Sequence, residues 1–219
     1  MLKYPALVLD HDDTVVQSEA TVNYPFFCYI LDVLRPGTKI TLQEYIRGCF
    51  HPGFADMCRR QYGFTEAELM REYSGWKEYV KTHIPMPYEG MGRIIRRQKQ
   101  EGGKVFIVSH SSAENIRRDY LTHFCIEPDG IYDCELPEAQ RKPSPYPLFH
   151  IMDTYSFLPD QLFVVDDLKP ACQMAKSAGV KIGFAAWSKT DIPEIIKQMD
   201  MLCDYSFKTV EELELHLFY

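Results

Sequence analysis

Four short apolar runs, residues 6–9, 105–108, 162–165 and 180–184, stand between segments whose apolar positions recur with helical period. Runs rich in β-branched residues and apolar on both faces suit central strands of a parallel sheet covered by helices. Met91, Ile94, Ile95 and Gln98 predict a helix that stops at Gly102-Gly103. Ile116, Tyr120 and Phe124 predict a second, and Met174, Ala175 and Ala178 a third, opened by Pro170 and closed by Gly179. Strand and helix alternate, so the fold class is α/β with a Rossmann-like parallel sheet.

Residues 18–84 break that alternation. Phe26, Ile30 and Val33 suggest one helix, Phe54, Met57 and Tyr62 another, and Leu69, Tyr73, Trp76 and Val80 a third, with no strand-like run among them. The expected organisation is a core domain of residues 1–17 and 85–219 with an inserted all-helical domain over 18–84. Pro85 and Pro87 stiffen the return. The chain shows no internal repeat and no low-complexity segment.

Composition narrows the class without naming a function. Hydrophobic residues at 46% and charged residues at 25% fit a folded globular protein. The net charge of -7 gives no general attraction to polyanions, so neither nucleic acid nor an anionic membrane surface is the expected partner. No run approaches the roughly 18 apolar residues of a membrane span. The seven cysteines are scattered and never form a Cys-x-x-Cys pair, so they read as reduced thiols of a cytoplasmic protein.

Four polar clusters follow the expected strand ends or lie on loops: Asp10, Asp12 and Thr14 in LVLDHDDT; Ser109 in VFIVSHSS; Lys142 in QRKPSPYP; and Asp166-Asp167 in LFVVDDLKP. Ligands of open parallel sheets bind at the carboxyl ends of strands, so these clusters are expected to converge. Each alone has a plainer reading as a turn, cap or solvated residue. Together they suit phosphoryl chemistry. Carboxylates sharing a cleft repel one another, and a hard divalent ion such as Mg²⁺ relieves that cost. Lys142 can neutralise a transferring phosphoryl group, Ser109 can bond its oxygens, and Asp10 can attack it. Asp12 can protonate the leaving group and later take a proton from water.

These strings resemble the four motifs of the haloacid dehalogenase superfamily, and the likeness runs along essentially the whole chain. The helical insert after the first motif is similar to the cap of the branch holding phosphoglycolate phosphatase and β-phosphoglucomutase. The resemblance implies a sheet core, a mobile helical cap, Mg²⁺ held by Asp10, the Asp12 backbone carbonyl and Asp167, and phosphate held by Ser109 and Lys142. The sequence also departs from the family pattern. Asp13 stands where this branch commonly has Gly, and its plain reading is an exposed turn residue. Gln17 stands where many relatives have Asp, and Ala171 where a second acid is frequent. Asp166 can share the metal role with Asp167. His11 and His110 are expected to face away from phosphate. In the insert, Arg47, Gly48 and His51 resemble the loop with which relatives read the leaving group.

The expectation is therefore a Mg²⁺-dependent phosphatase hydrolysing a small organic phosphomonoester through an aspartyl-phosphate on Asp10. A small phosphorylated metabolite is the expected partner, with the chain a monomer or weak dimer. A sugar phosphomutase is the alternative, although His51 stands where the β-phosphoglucomutase pattern places an Arg. Dehalogenases do without the metal site, and the intact Asp10, Asp12 and Asp167 set argues against them. A phosphoacceptor signalling domain would place its acidic pair after the first strand, the reverse of the order here. A non-catalytic remnant of the family is expected to have lost an acidic motif residue, and none is lost.

Overall fold

Strand β1 (Ala6–Leu9) is buried at all four positions, which only an interior place in a sheet allows. In the computed structural model, which describes residues 2–219, it lies between β2 (Lys104–Val108) and β4 (Leu162–Asp166). β3 (Gly130–Tyr132) flanks β2, while β5 (Lys181–Ala185) and β6 (Tyr205–Phe207) extend the other side, giving the order β3-β2-β1-β4-β5-β6. Every pairing is parallel. The four runs read from the sequence form the four inner strands, and the structure adds three-residue strands at both edges.

The chain divides into two compact units, residues 1–16 with 86–219, and residues 17–85. The second unit holds α1 (Tyr24–Leu34), α2 (Leu42–Phe50), α3 (Phe54–Tyr62) and α4 (Glu66–Thr82), after a π-helical turn at Glu19–Asn23. The hydroxyls of Thr41 and Thr65 accept from the backbone N–H groups of Glu44 and Glu68, whose carboxylates return the bond, so capping boxes open α2 and α4. Phe27 anchors this unit's interior, with the rings of Tyr45, Phe54, Tyr62 and Phe64 around it. A Cβ on Gly48 would come within 2.0 Å of Met57 Sδ, so glycine is what lets α2 approach α3.

Six helices belong to the sheet unit: α5 (Met91–Gln100), α6 (Ala113–Phe124), α7 (Tyr146–Tyr155), α8 (Lys169–Ala178), α9 (Pro193–Asp200) and α10 (Val210–Phe218). Side chains alternate along a strand, so Leu7 and Leu9 share a face with Val105, Ile107, Phe163 and Val165. That face packs on Ile94, Ile95, Ile116, Tyr120, Leu213 and Leu217 of α5, α6 and α10. Each such fully buried Leu, Ile or Val contributes about 1.5–3 kcal/mol. α8 packs against β4 and β5 and ends at Gly179, whose φ of 70° is the left-handed cap conformation.

Three expectations are corrected here. Val33 of the first inserted helix is 41% exposed, and the buried stripe runs through Phe26, Phe27, Ile30 and Leu31 instead. Tyr73, on α4, is exposed as well. The stretch around Arg47 is not a loop: Arg47 lies in the last turn of α2 and His51 caps it. No helix among the described residues is long and apolar enough to cross a membrane. The seven cysteines are all free thiols, with Cys172 and Cys203 in contact at 3.1 Å.

Candidate active site

Parallel pairing puts the carboxyl ends of β1, β2 and β4 on one edge of the sheet, and three of the four polar clusters leave from there. The Asp10 N–H donates to Val165 O at 2.9 Å, carrying the ladder one residue past β1 and fixing where its carboxylate begins. Likewise, Ser109 N–H donates to Tyr132 O, so Ser109 continues β2. Asp166 closes β4 and Asp167 follows it. Carboxylate oxygens of Asp10, Asp166 and Asp167 lie within 4.8 Å of one another, and all three residues are buried.

Lys142 enters from the segment before α7 and is 8% exposed. Its Nζ donates to Asp10 Oδ1 at 2.8 Å and to Asp166 Oδ2 at 2.7 Å. Burial disfavours the ammonium, yet these two carboxylates outweigh it and hold the lysine pKa above its ordinary value. The Leu168 N–H takes Asp166 Oδ1 at 2.8 Å, so both oxygens of Asp166 are engaged.

Asp167 is placed differently. Its Oδ2 accepts from Lys189 Nζ at 2.8 Å, whereas its Oδ1 is buried with no hydrogen-bond partner. Lys189 also donates to Asp13 Oδ2 at 2.9 Å. Burial drives the pKa of Asp166 and of Asp167 upward, and the Asp10 charge adds to the rise. Asp13 is therefore not an exposed turn residue: it is 4% exposed, with φ +54°, in a loop closed by hydrogen bonds from Val15 and Val16 N–H to His11 O. No sequence signal announces Lys189. It stands 176 residues from Asp13, just after a turn that follows β5.

Asp12 lies apart from the three-carboxylate group, and its Oδ2 accepts from Ser111 Oγ at 2.5 Å. Ser111 N–H donates in turn to Ser109 Oγ at 3.2 Å. Ser111 is not singled out by the sequence, where only Ser109 of VFIVSHSS is, and its contact with a residue 99 positions away was not readable. His11 is buried, its Nε2 3.0 Å from Asp119 Oδ2 on α6. Burial lowers its pKa, but the Asp119 hydrogen bond and the carboxylates of Asp12, Asp119 and Asp10 reverse the shift and leave it raised. His110 is shifted down by burial and by the Lys142 charge. Thr14 is fully buried, and its carbonyl accepts from Trp187 Nε1 at 3.2 Å.

The sheet unit therefore brings together Asp10, Lys142, Asp166 and Asp167, with Ser109, Ser111 and Asp12 joined by a short hydrogen-bond chain. Arg47 and His51 belong to the second unit, where both are exposed. Clustered carboxylates and an orphaned buried oxygen on Asp167 fit a hard divalent cation, which prefers oxygen donors. With both Asp166 oxygens engaged, Asp167 is the better donor of the pair.

Comparison with known structures returns the same architecture. A haloacid dehalogenase-like hydrolase from Bacteroides fragilis superposes with a TM-score of 0.77 at 19% identity, covering 96% of this chain and 100% of that one. A predicted phosphoglycolate phosphatase from Haemophilus somnus gives 0.73 at 17% identity over 99% of both chains. CbbY from Rhodobacter sphaeroides, solved in complex with phosphate, gives 0.70 at 18%, covering 97% and 96%. No curated protein matches the sequence. The model of the haloacid dehalogenase-like hydrolase family matches residues 7–185, from within β1 to the end of β5, and with that span of the chain matched the protein belongs to this family.

Proposed function

We propose that the chain is a Mg²⁺-dependent phosphomonoesterase acting on a small, soluble organic phosphate. The observation that carries this reading is the placement of Asp10, Lys142, Asp166 and Asp167 within one buried cluster at the sheet edge. Asp10 is the nucleophile. Its Oδ1 is held by Lys142, and among the described residues no hydrogen bond engages Oδ2, the oxygen assigned to attack phosphorus. The P–O bond to the leaving group breaks as the aspartyl-phosphate forms, and Asp12 gives its proton to the departing alkoxide. Asp12 then takes a proton from the water that hydrolyses the acyl phosphate, which restores Asp10. Lys142 and the Ser109 hydroxyl serve the phosphoryl oxygens.

Asp10, the Asp12 backbone carbonyl and Asp167 would hold Mg²⁺. When bound, the ion supplies charge neutralisation that lets an anionic nucleophile meet a phosphate dianion. The helical unit is assigned the reading of the leaving group through Arg47 and His51, and the reduced thiols suit a cytoplasmic setting.

The test is a panel of metabolite phosphates assayed with Mg²⁺ and with EDTA, alongside Asp10→Asn. Phosphate release that needs Mg²⁺ and vanishes in a well-folded Asp10→Asn protein is expected. Release persisting in either control refutes the mechanism, and conversion of one sugar phosphate into its isomer without phosphate release identifies a mutase instead.

A further inference from the structure

Two features of the site serve the same contact, and each is unfavourable alone. Asp13 adopts a left-handed backbone, φ +54°, at a position where glycine would do so freely. Lys189, 2% exposed, gives up nearly all hydration of its ammonium. Both serve to bring Lys189 Nζ to 2.9 Å from Asp13 Oδ2 and 2.8 Å from Asp167 Oδ2. An apolar pair would pack there without burying charge. The outcome of the arrangement is an asymmetry within one carboxylate: Asp167 Oδ2 is occupied, whereas the buried Oδ1 has no partner.

We propose that Lys189, anchored by Asp13, is a positioning residue that makes Asp167 a one-oxygen metal ligand and so biases the site toward Mg²⁺ over Ca²⁺. The inference rests on the Mg²⁺ reading above. Mg²⁺ demands a compact octahedral shell and takes one or two carboxylates through single oxygens, while Ca²⁺ accepts six to eight donors and often engages a carboxylate through both oxygens. A carboxylate with one oxygen locked to an ammonium cannot offer both. Lys142 holds Asp166 in the parallel way, so two lysines thin the oxygen supply of a site with four buried acids, Asp10, Asp13, Asp166 and Asp167.

The experiment measures binding of MgCl₂ and CaCl₂ separately to metal-free protein by calorimetry, without substrate. Asp13→Gly with Lys189→Met removes one charge of each sign, leaves the net charge of the site unchanged, and frees Asp167 Oδ2. The ratio of the Ca²⁺ to the Mg²⁺ dissociation constant is expected to fall about tenfold or more, the scale on which partners of metal ligands act. If that pair fails to fold, Asp13→Asn with Lys189→Gln keeps a left-handed-tolerant residue and polar side chains, again leaves the net charge of the site unchanged, takes the ammonium off Asp167 Oδ2, and is expected to lower the ratio in the same direction. A ratio unchanged in whichever variant folds overturns the proposal. Failure of the underlying metal reading is separate, because the unmodified protein would then show no Mg²⁺ binding.

Discussion

The Ser111 hydroxyl donates a hydrogen bond to Asp12 Oδ2 at 2.5 Å. That contact ties the assigned acid to the loop leaving β2, whose Ser109 hydroxyl is bonded to the same Ser111 through its N–H. Removing it with Ser111→Ala is expected to lower kcat roughly tenfold with little change in KM. Asp12→Ala removes the proton donor itself, and the loss is expected to be about 100-fold to 10,000-fold on alkyl phosphates. On nitrophenyl phosphate, whose leaving group needs no proton, the Asp12→Ala loss shrinks. Steady-state kinetics on the two substrate types checks both, and equal losses would make Asp12 structural.

Lys142 is the only cation bonded to Asp10 and Asp166 among the described residues. Lys142→Met strands two buried carboxylates, and loss of one partner of a buried charge pair costs about 3–5 kcal/mol. Denaturant unfolding in EDTA at neutral pH is expected to show that loss. Adding Asp166→Asn removes one stranded charge and is expected to restore part of the stability, whereas additive destabilisation by the two changes would rule the charge argument out.

Glu72 on α4 is 7% exposed, and burial raises its pKa to about 7. The folded state therefore holds this proton more tightly than the unfolded chain, whose carboxyl titrates near 4.5. Stability from this group is present at low pH, falls as pH rises from about 4.5 to 7, and is fully lost above. The swing is about 3 kcal/mol. Thermal melts at pH 5 and pH 8 are expected to carry that swing on top of the one from Asp166 and Asp167, and Glu72→Gln is expected to remove the Glu72 share alone, shrinking the difference between the two melts, and to melt higher than the parent at pH 8.

Arg47 is exposed in the last turn of α2. If it reads an anionic leaving group, Arg47→Ala is expected to reduce kcat/KM on the best metabolite about tenfold to a hundredfold, the worth of one charge-assisted contact. Nitrophenyl phosphate is expected to be almost untouched. A uniform effect on both substrates, or none, returns Arg47 to the role of a helix-end charge.

The inner strands were legible because residues 6–9, 105–108 and 162–165 are apolar on both faces, and full burial is what such a run demands. The edge strands were not: Gly130–Tyr132 is half-buried throughout, and Tyr205–Phe207 is largely exposed, so neither writes an apolar run. Helix α2 did carry a signal, the Thr41 to Glu44 capping box, which the family likeness to a loop obscured. At the site, Asp10, Ser109, Asp166 and Asp167 could be picked out because strand ends collect ligands, and Lys142, on a loop before α7, through its string's likeness to a family motif. The contacts among Asp13, Lys189 and Ser111 could not, because they depend on where loops far apart in sequence meet.

The central position of β1 bears on how the protein comes off the ribosome. Residues 6–9 emerge first, yet their partners are residues 104–107 and 162–165. At about 5–20 residues per second, the nascent β1 waits several seconds or more for either neighbour. In that interval the four helices of residues 17–85 have complete sequence and mostly local contacts, so they can fold first. An apolar strand left unpaired that long is the kind of segment that flanking charges protect from association, and Asp10, Asp12 and Asp13 stand directly after it.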